Sequence, residues 1–195
     1  MYGLPTSVEV HGRQFHIRQD GDYRMVLDCF AALRDSELSE DEKVLASLLI
    51  FYNEFNDLDE LPNDNDLMEG LIKEMFNFMN CGEEEMTGAM ANQTVVDWEK
   101  DEKIIVSAIN VVAQKEIRAE PYMHWWTFMS YYMGIGESLF ATVTSIRLKL
   151  NRHEKLEKWE EKFKKDNPQY FVWKNIDLQS TEQQAILNEI WNTGR

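Results

Sequence analysis

The stretch MHWWTFMSYYMGIG, residues 123–136, contains one histidine, five aromatic residues and three methionines. On a helix its apolar side chains cover nearly the whole circumference, which is typical of a central helix that several others contact. Core packing is therefore one interpretation. A groove for a partner is the other, because Trp, Tyr and Met are enriched on adaptable surfaces that accept an apolar helix. Both interpretations predict a mainly helical fold around this segment.

The 195 residues carry a formal charge of −15, and the excess of acid lies almost entirely in the first part of the chain. Residues 1–110 contain 24 Asp and Glu against 8 Lys and Arg, whereas residues 111–195 contain 11 against 12. An acidic surface repels phosphate backbones, so we expect no nucleic-acid partner. A basic protein partner stays open, as does the simpler interpretation that the charge keeps the protein dissolved.

The cysteine count and the hydropathy of the chain bear on its compartment. Its 2 cysteines make neither a disulfide framework nor a zinc set. No basic segment followed by an apolar stretch opens the sequence, and no run reaches the roughly 18 apolar residues of a membrane helix. We expect a cytoplasmic protein without a membrane anchor.

The first 82 residues predict a β-hairpin and three amphipathic helices. TSVEVHGRQFHIR, residues 6–18, alternates apolar and polar residues around a His-Gly turn. Helical spacing then begins at Tyr23, and Ser39 with Glu42 forms a capping box for the second helix. An acidic loop at 53–66 precedes the third helix, which Cys81-Gly82 should close.

The remainder of the chain predicts further helices. Asp97 should open one, Pro121 should lie in the first turn of the aromatic helix, and Gly134 with Gly136 should end it. A helix restarting at Leu139 can continue through RHEKLEKWEEKFKKDN, residues 152–167, as one long charged helix that Pro168 stops. Ser180 or Thr181 can cap a last short helix.

The predicted architecture is thus a mainly α fold of about six or seven helices with a short N-terminal β-hairpin and a long charged C-terminal helix. Its expected organisation is a compact helical domain over residues 1–150, followed by a charged helical arm and a short helix over 151–195.

Candidates for catalysis or metal binding are few. His124 is the one histidine among apolar residues, but Glu120 and Phe128 stand four positions away, so it lacks a helical ligand pair. Asp97 and Asp101 share a helical face, where they could hold a cation or act as an acid/base pair, or simply complement the helix dipole. No phosphate-binding glycine loop, nucleophile elbow or Cys-x-x-Cys occurs. We expect no enzymatic activity, cofactor or metal, although a small metal-dependent hydrolase stays an alternative.

Four motifs in order resemble the bacteriophage gene-product-fifteen family of long-tailed phages of Gram-positive hosts. They are LPTSVEVHGRQFHIRQDGDYRMVLDCFAALRDSELSEDEK at 4–43, VDWEKDEKIIVSAI at 96–109, MHWWTFMSYYMGIG at 123–136 and TSIR at 144–147. The motif residues include Trp98, His124, Trp125, Trp126 and Arg147.

The resemblance implies a tail-module protein similar to tail assembly chaperones, which bind the tape-measure protein and help to gather tail-tube subunits. The implied partners are those two proteins, with self-association also open, and the implied location is the host cytoplasm during assembly rather than the mature virion. A structural tail or adaptor component is the alternative. The candidate partner-binding residues are Trp98, His124, Trp125, Phe128, Met129 and Tyr132.

Overall fold

A computed structural model of the chain describes residues 3–82 and 95–172. These residues are mainly helical, with one two-stranded antiparallel sheet. The elements in chain order are β1 Ser7–Val10, β2 Arg13–His16, α1 Tyr23–Leu33, α2 Glu40–Phe51, α3 Asn65–Met79, α4 Glu102–Ala113, α5 Trp125–Met133, α6 Leu139–Asn151 and α7 Lys158–Asp166. The mainly helical class and the hairpin are therefore confirmed, whereas the predicted last short helix lies outside the described residues.

The described residues form two compact units. Unit 1 comprises residues 3–82 and 116–133, and unit 2 comprises residues 95–115 and 134–172. The predicted division at residue 150 stays a prediction, because residues 173–195 lie outside the described part of the chain.

Unit 1 begins with the predicted hairpin. Val8 pairs with Phe15, and the turn residues His11 and Gly12 have φ angles of 51° and 75°. Two positive φ values in succession match the right-handed twist of a tight hairpin. The hairpin packs on α3 at Gly70, where a β-carbon would lie 2.3 Å from Cγ1 of Val10. A glycine in the middle of α3 is thus explained by close approach of the strand.

The core of unit 1 is formed by apolar side chains of its first three helices and by Tyr52. The apolar sides predicted for α1, α2 and α3 contribute Val26, Leu48, Leu71 and Met75, all of which are fully buried. Tyr52 is also buried, and its hydroxyl donates to the Leu71 carbonyl at 2.7 Å. Its polar atom is therefore satisfied within the core.

Unit 2 packs α4 against α6 through buried aliphatic side chains. Ile105 and Ile109 of α4 and Val143 and Ile146 of α6 are nearly or completely inaccessible to solvent. The predicted start of α4 was wrong. Asp97 lies in a turn whose Glu99 and Lys100 amides donate to its carboxylate, and α4 begins only at Glu102, after Asp101.

Pro121 also lies outside the helix to which the sequence assigned it. The aromatic helix α5 begins at Trp125, and Pro121 lies in a bend four residues earlier. From sequence alone, a proline can lie either in the first turn of a helix or in a bend. Here the Glu120 carbonyl accepts from Arg24 and the Met123 amide donates to Asp22, and these contacts hold the segment around Pro121 in a bend.

The predicted long charged helix is two helices. Its break lies at His153, which has a φ of 55° and whose amide donates to the Leu150 carbonyl at 3.1 Å. The Glu154 amide reaches the Lys149 carbonyl at 2.8 Å, which completes the paired bonds of a Schellman motif. These bonds satisfy the last carbonyls of α6 and end it.

A capping box then starts α7, because the Glu157 amide donates to the Glu160 carboxylate at 2.8 Å. Lys149 also reaches Glu160, with Nζ 2.7 Å from Oε1. In a continuous helix these two residues would be separated by about 16 Å along the axis. The chain therefore turns back between α6 and α7.

Candidate functional site

Asp22 connects the start of α1 to the segment before α5. Its Oδ1 accepts the Arg24 amide, as an N-cap does, and its Oδ2 accepts the Met123 amide, each at 2.9 Å. The Tyr23 amide donates to the Met123 carbonyl at 2.9 Å. A single buried carboxylate thus holds both helix starts in register.

His124 caps α5 with its side chain. Nδ1 accepts the Trp126 amide at 3.0 Å, and Nε2 lies 2.9 Å from the Pro5 carbonyl oxygen. Because a carbonyl only accepts, Nε2 carries the proton and Nδ1 supplies the lone pair. Burial lowers the pKa of His124 from its ordinary value of 6.5, against smaller opposing effects of the Pro5 carbonyl and Asp22. Both ring nitrogens are engaged, so neither is directed at a metal site.

The two tryptophans of α5 satisfy the end of α3. The Trp125 indole N–H donates to the Met79 carbonyl at 2.8 Å, and that of Trp126 donates to the Phe78 carbonyl at 3.0 Å. The last carbonyls of a helix have no partner within it, and here the Phe78 carbonyl also accepts the Cys81 amide at 2.9 Å. The Trp-Trp pair therefore acts as a side-chain cap for α3.

An aromatic stack fixes α5 on α1. The Tyr23 and Phe128 rings are nearly parallel with centroids 4.6 Å apart, and Trp125 stacks on Phe128 at 5.5 Å. Trp125 and Phe128 are each 1% exposed. This side of α5 is core.

The opposite side of α5 is accessible. Trp126, Met129 and Tyr132 are half-buried, Ser130 is exposed, and Met133 is 64% exposed. We call Trp126, Met129, Ser130 and Met133 the outer face of α5, since they lie at helical spacing of three and four. Methionine adapts its shape to irregular apolar surfaces, so this face is chemically suited to an apolar helix.

Unit 2 contains a buried ion pair. Asp101 and Arg147 form a two-pronged contact, with Arg147 Nη2 2.9 Å from Asp101 Oδ1 and Nη1 against Oδ2. The guanidinium also donates to the carbonyls of Val95 at 2.9 Å and Tyr170 at 2.7 Å. Asp101 further accepts the Asp97 amide at 2.9 Å. This pair joins residues from three separate segments of unit 2.

Two observations concern metal binding and nucleophilic groups in the described residues. They contain no group of three or more His, Cys, Asp or Glu side chains placed to hold a metal ion. Burial raises the pKa of Cys29 to about 12, so its thiol stays protonated at neutral pH and is a poor nucleophile. None of the helices in this part of the chain has the length and hydrophobicity that a bilayer crossing requires.

A comparison with protein families identifies the family of this chain. The family model described as Bacteriophage Gp15 protein matches residues 2–171. The chain belongs to the Bacteriophage Gp15 protein family. No curated protein and no solved structure shows a significant match. Family membership establishes a bacteriophage protein and agrees with the resemblance of the four motifs.

Four of the five motif residues have structural roles here. His124, Trp125 and Trp126 cap helices, and Arg147 binds Asp101. Sequence reasoning proposed Arg147 only as a motif member and missed Asp101 as its partner. The available signal was position, because Arg147 falls in the apolar stripe that includes Phe140, Val143 and Ile146, and a charge at such a position requires a buried partner.

The six candidate partner-binding residues divide between the two units. Unit 1 contains His124, Trp125, Phe128, Met129 and Tyr132, whereas Trp98 lies half-buried in unit 2. His124, Trp125 and Phe128 are in the core, so a partner could contact only Met129 and Tyr132 among these five without unpacking α5. A binding role for the set stays a prediction, and the exposed Met133 and Tyr122 were not among the candidates.

Proposed function

We propose that this Gp15-family protein is a tail assembly chaperone-like protein that binds the tape-measure protein, the tail-tube protein or both during tail morphogenesis in the host cytoplasm. The observation that carries the proposal is the outer face of α5, which presents two methionines and part of a tryptophan beside a rigid aromatic core. Exposed apolar side chains at helical spacing are suited to an amphipathic partner helix.

The rigid inner side of α5 supports this role energetically. Tyr23, Trp125 and Phe128 stack and the two indoles are hydrogen-bonded, so α5 is held before any partner arrives. Binding to a preformed surface avoids the entropy loss of ordering it. The function is binding rather than bond-making, and it needs neither a cofactor nor a metal.

The high negative charge supports the same role. A chaperone that covers exposed apolar surfaces of its partner must also keep the complex soluble. The formal charge of −15 provides electrostatic repulsion between complexes. We infer that acidic residues disperse the complex while the outer face of α5 contacts the partner.

Co-expression with the tape-measure protein of the same phage tests the proposal. We expect the tape-measure protein to be more soluble with the wild-type chain than alone and to elute with it. Met129→Ser combined with Met133→Ser should lower the recovered tape-measure protein several-fold. Val111→Ser combined with Val172→Ser is the matched control, because it removes apolar side chains that are 77% and 69% exposed in unit 2.

Equal solubility of the tape-measure protein with and without this chain, and no shared elution, would contradict tape-measure binding. The same experiment with the tail-tube protein tests the second partner. Quantitative mass spectrometry of purified virions separates the alternative: an assembly factor should be absent from them, whereas a structural tail or adaptor component should be present at a fixed ratio to the tail-tube protein.

A further inference from the structure

An acidic knob projects from unit 1 between two buried anchors. Phe55 and Leu61 are buried, while Leu58 between them is 59% exposed. Asp57 and Asp59, which flank it, are exposed, as is Glu60. We call residues 57–60 the acidic knob. It presents one leucine surrounded by carboxylates.

Hydrogen bonds make the acidic knob rigid. The Asp57 carboxylate accepts the amides of Asp59 and Glu60 at 3.0 and 3.2 Å, and the Glu60 carboxylate accepts the Asn56 amide at 2.7 Å. Arg18 donates to the Phe55 carbonyl at 2.7 Å and holds the base of the loop. Leu58 is thus held outward by a preformed backbone, which lowers the entropic cost of docking.

The exposed side of α7 has the opposite chemistry. Lys158, Lys162 and Lys165 follow one another at spacings of four and three, and all are exposed. Trp159 borders this row and is 58% exposed. We call Lys158, Trp159, Lys162 and Lys165 the basic face. Two exposed carboxylates border the row, because Glu161 lies three positions after Lys158 and four before Lys165, and Asp166 lies four positions after Lys162. The three lysines outnumber these two carboxylates.

The two surfaces complement each other in charge and in apolar content. One offers a leucine among carboxylates and the other a tryptophan among ammonium groups, in a chain whose residues 3–82 contain 17 Asp and Glu against 6 Lys and Arg. An exposed tryptophan is a frequent anchor of protein contacts. Complementary charge steers encounter and sets register, and burial of the two apolar side chains adds attraction.

We propose that a second copy of this chain is the occupant of the basic face, with the acidic knob of one copy docked on the basic face of the next. The contact joins two different surfaces, so it is heterologous and can repeat from copy to copy. Its small size predicts weak, reversible association rather than a permanent dimer.

Sedimentation equilibrium of the full chain tests whether the association exists. We expect the average mass to rise with protein concentration at about 0.1 M salt, where a Debye length of about 10 Å weakens the repulsion between net charges of −15 more than the attraction between charges in contact. The rise should shrink at about 1 M salt, where the Debye length is about 3 Å. A single monomer mass at every concentration in about 0.1 M salt would overturn the proposal.

Two variants each remove one surface and leave the other intact. The knob variant combines Leu58→Ser with Asp59→Asn, and the face variant combines Trp159→Ser with Lys162→Gln. Each should remain monomeric alone. An equal mixture should form a heterodimer and nothing larger, because only one productive pairing is left. Neither variant gains a new charge, so the two changed surfaces do not attract each other.

Matched controls change the same chemistry elsewhere. Leu4→Ser with Glu9→Gln and Val111→Ser with Lys103→Gln each remove one exposed apolar side chain and neutralise one exposed charge. Both should associate as the wild type does. Loss of association in the controls, unchanged association in the knob and face variants, or no heterodimer in the mixture of folded variants would contradict head-to-tail pairing. Circular dichroism establishes folding in each case.

Discussion

His124, Asp22 and Arg147 are buried, and each binds backbone groups from a distant part of the chain. His124 contacts Pro5, Asp22 contacts Met123, and Arg147 contacts Val95 and Tyr170. A buried polar group must be hydrogen-bonded, or it destabilises the fold by the free energy of its lost hydration. At the scale of single residues, these three side chains therefore specify which segments meet.

Protonation of His124 should destabilise unit 1. Because burial lowers the pKa of His124 below its unfolded value of 6.5, its contribution to stability is fully present above pH 6.5 and is lost as the pH falls through the folded pKa. Protonated Nδ1 can no longer accept the Trp126 amide, and its charge opposes the positive start of α5. We expect the free energy of unfolding to fall on acidification, as urea titrations at several pH values will measure.

His124→Asn is the control for that prediction. Asparagine is a good N-cap residue but does not titrate. The variant should lose the part of the acid sensitivity that belongs to residue 124. An identical pH dependence in the variant and the wild type would assign the effect to other groups.

Arg147→Met should destabilise unit 2 strongly. It leaves the Asp101 carboxylate, which is 1% exposed, without its countercharge. Removal of one partner of a buried ion pair costs about 3–5 kcal/mol. Urea unfolding will measure the loss, and Arg152→Met serves as the exposed control on the same part of the chain. Equal losses of unfolding free energy in the two variants would show that the buried pair is unimportant for stability.

The double change Arg147→Met with Asp101→Leu should recover part of the stability that Arg147→Met loses, since no uncompensated charge stays buried.

At the scale of elements, helix ends are determined by specific caps. α3 and α6 both end in Schellman motifs, and the left-handed position is occupied by Cys81 in one and His153 in the other. Glycine is the usual residue there, because a side chain in the left-handed region costs roughly 1–2 kcal/mol. Both helices therefore end at a residue other than glycine with a positive φ, despite this cost in free energy.

His153→Gly should therefore stabilise the protein, by about 1 kcal/mol. The substitution relieves the positive φ of 55° while leaving the backbone bonds of the motif intact. Thermal unfolding will measure the change. His153→Ala is the matched control, and it should give no comparable gain because it keeps a β-carbon. If the glycine variant is the less stable of the two, α6 does not end in this conformation in solution.

The Trp125 indole should stabilise the fold through its hydrogen bond as well as through its ring. Trp125→Phe keeps an aromatic ring but removes the donor to the Met79 carbonyl, and an unsatisfied buried acceptor costs about 1–3 kcal/mol. Trp159→Phe, at an exposed ring, should change stability little. Denaturant unfolding of the two variants will compare them, and equal effects would contradict the capping role.

At the scale of the whole molecule, charge dominates behaviour in solution. The sequence pI is about 4.7, and the net charge at neutral pH is −15. Repulsion between copies vanishes near the pI, so we expect the solubility minimum close to that pH, as turbidity measurements will show. High solubility through that range would mean that acidity is not what keeps the protein dispersed.

The sequence by itself determined the helical class and the hairpin. Its predicted apolar stripes were right at Val26, Leu48, Leu71 and Met75, whereas Leu45 and Leu49 are only half-buried and the buried Phe51 and Phe78 were not in them. These features follow from periodicity and turn chemistry, which are local. The capping box at Ser39 and Glu42 was readable for the same reason, because both of its hydrogen bonds join residues three positions apart. The core interpretation of Trp125 and Phe128 was also available from the apolar character of their whole helix.

Only the tertiary structure decided where helices stop and which polar residues meet. The spacing of Leu156, Trp159 and Phe163 is as compatible with one long helix as with α7 alone, and the Lys149–Glu160 contact decides between them. The start of α4 depends on Asp101, which binds Arg147 46 residues away. Periodicity reports only which side of a helix is apolar, whereas buried ion pairs and carbonyl caps depend on distances between segments that are remote in sequence.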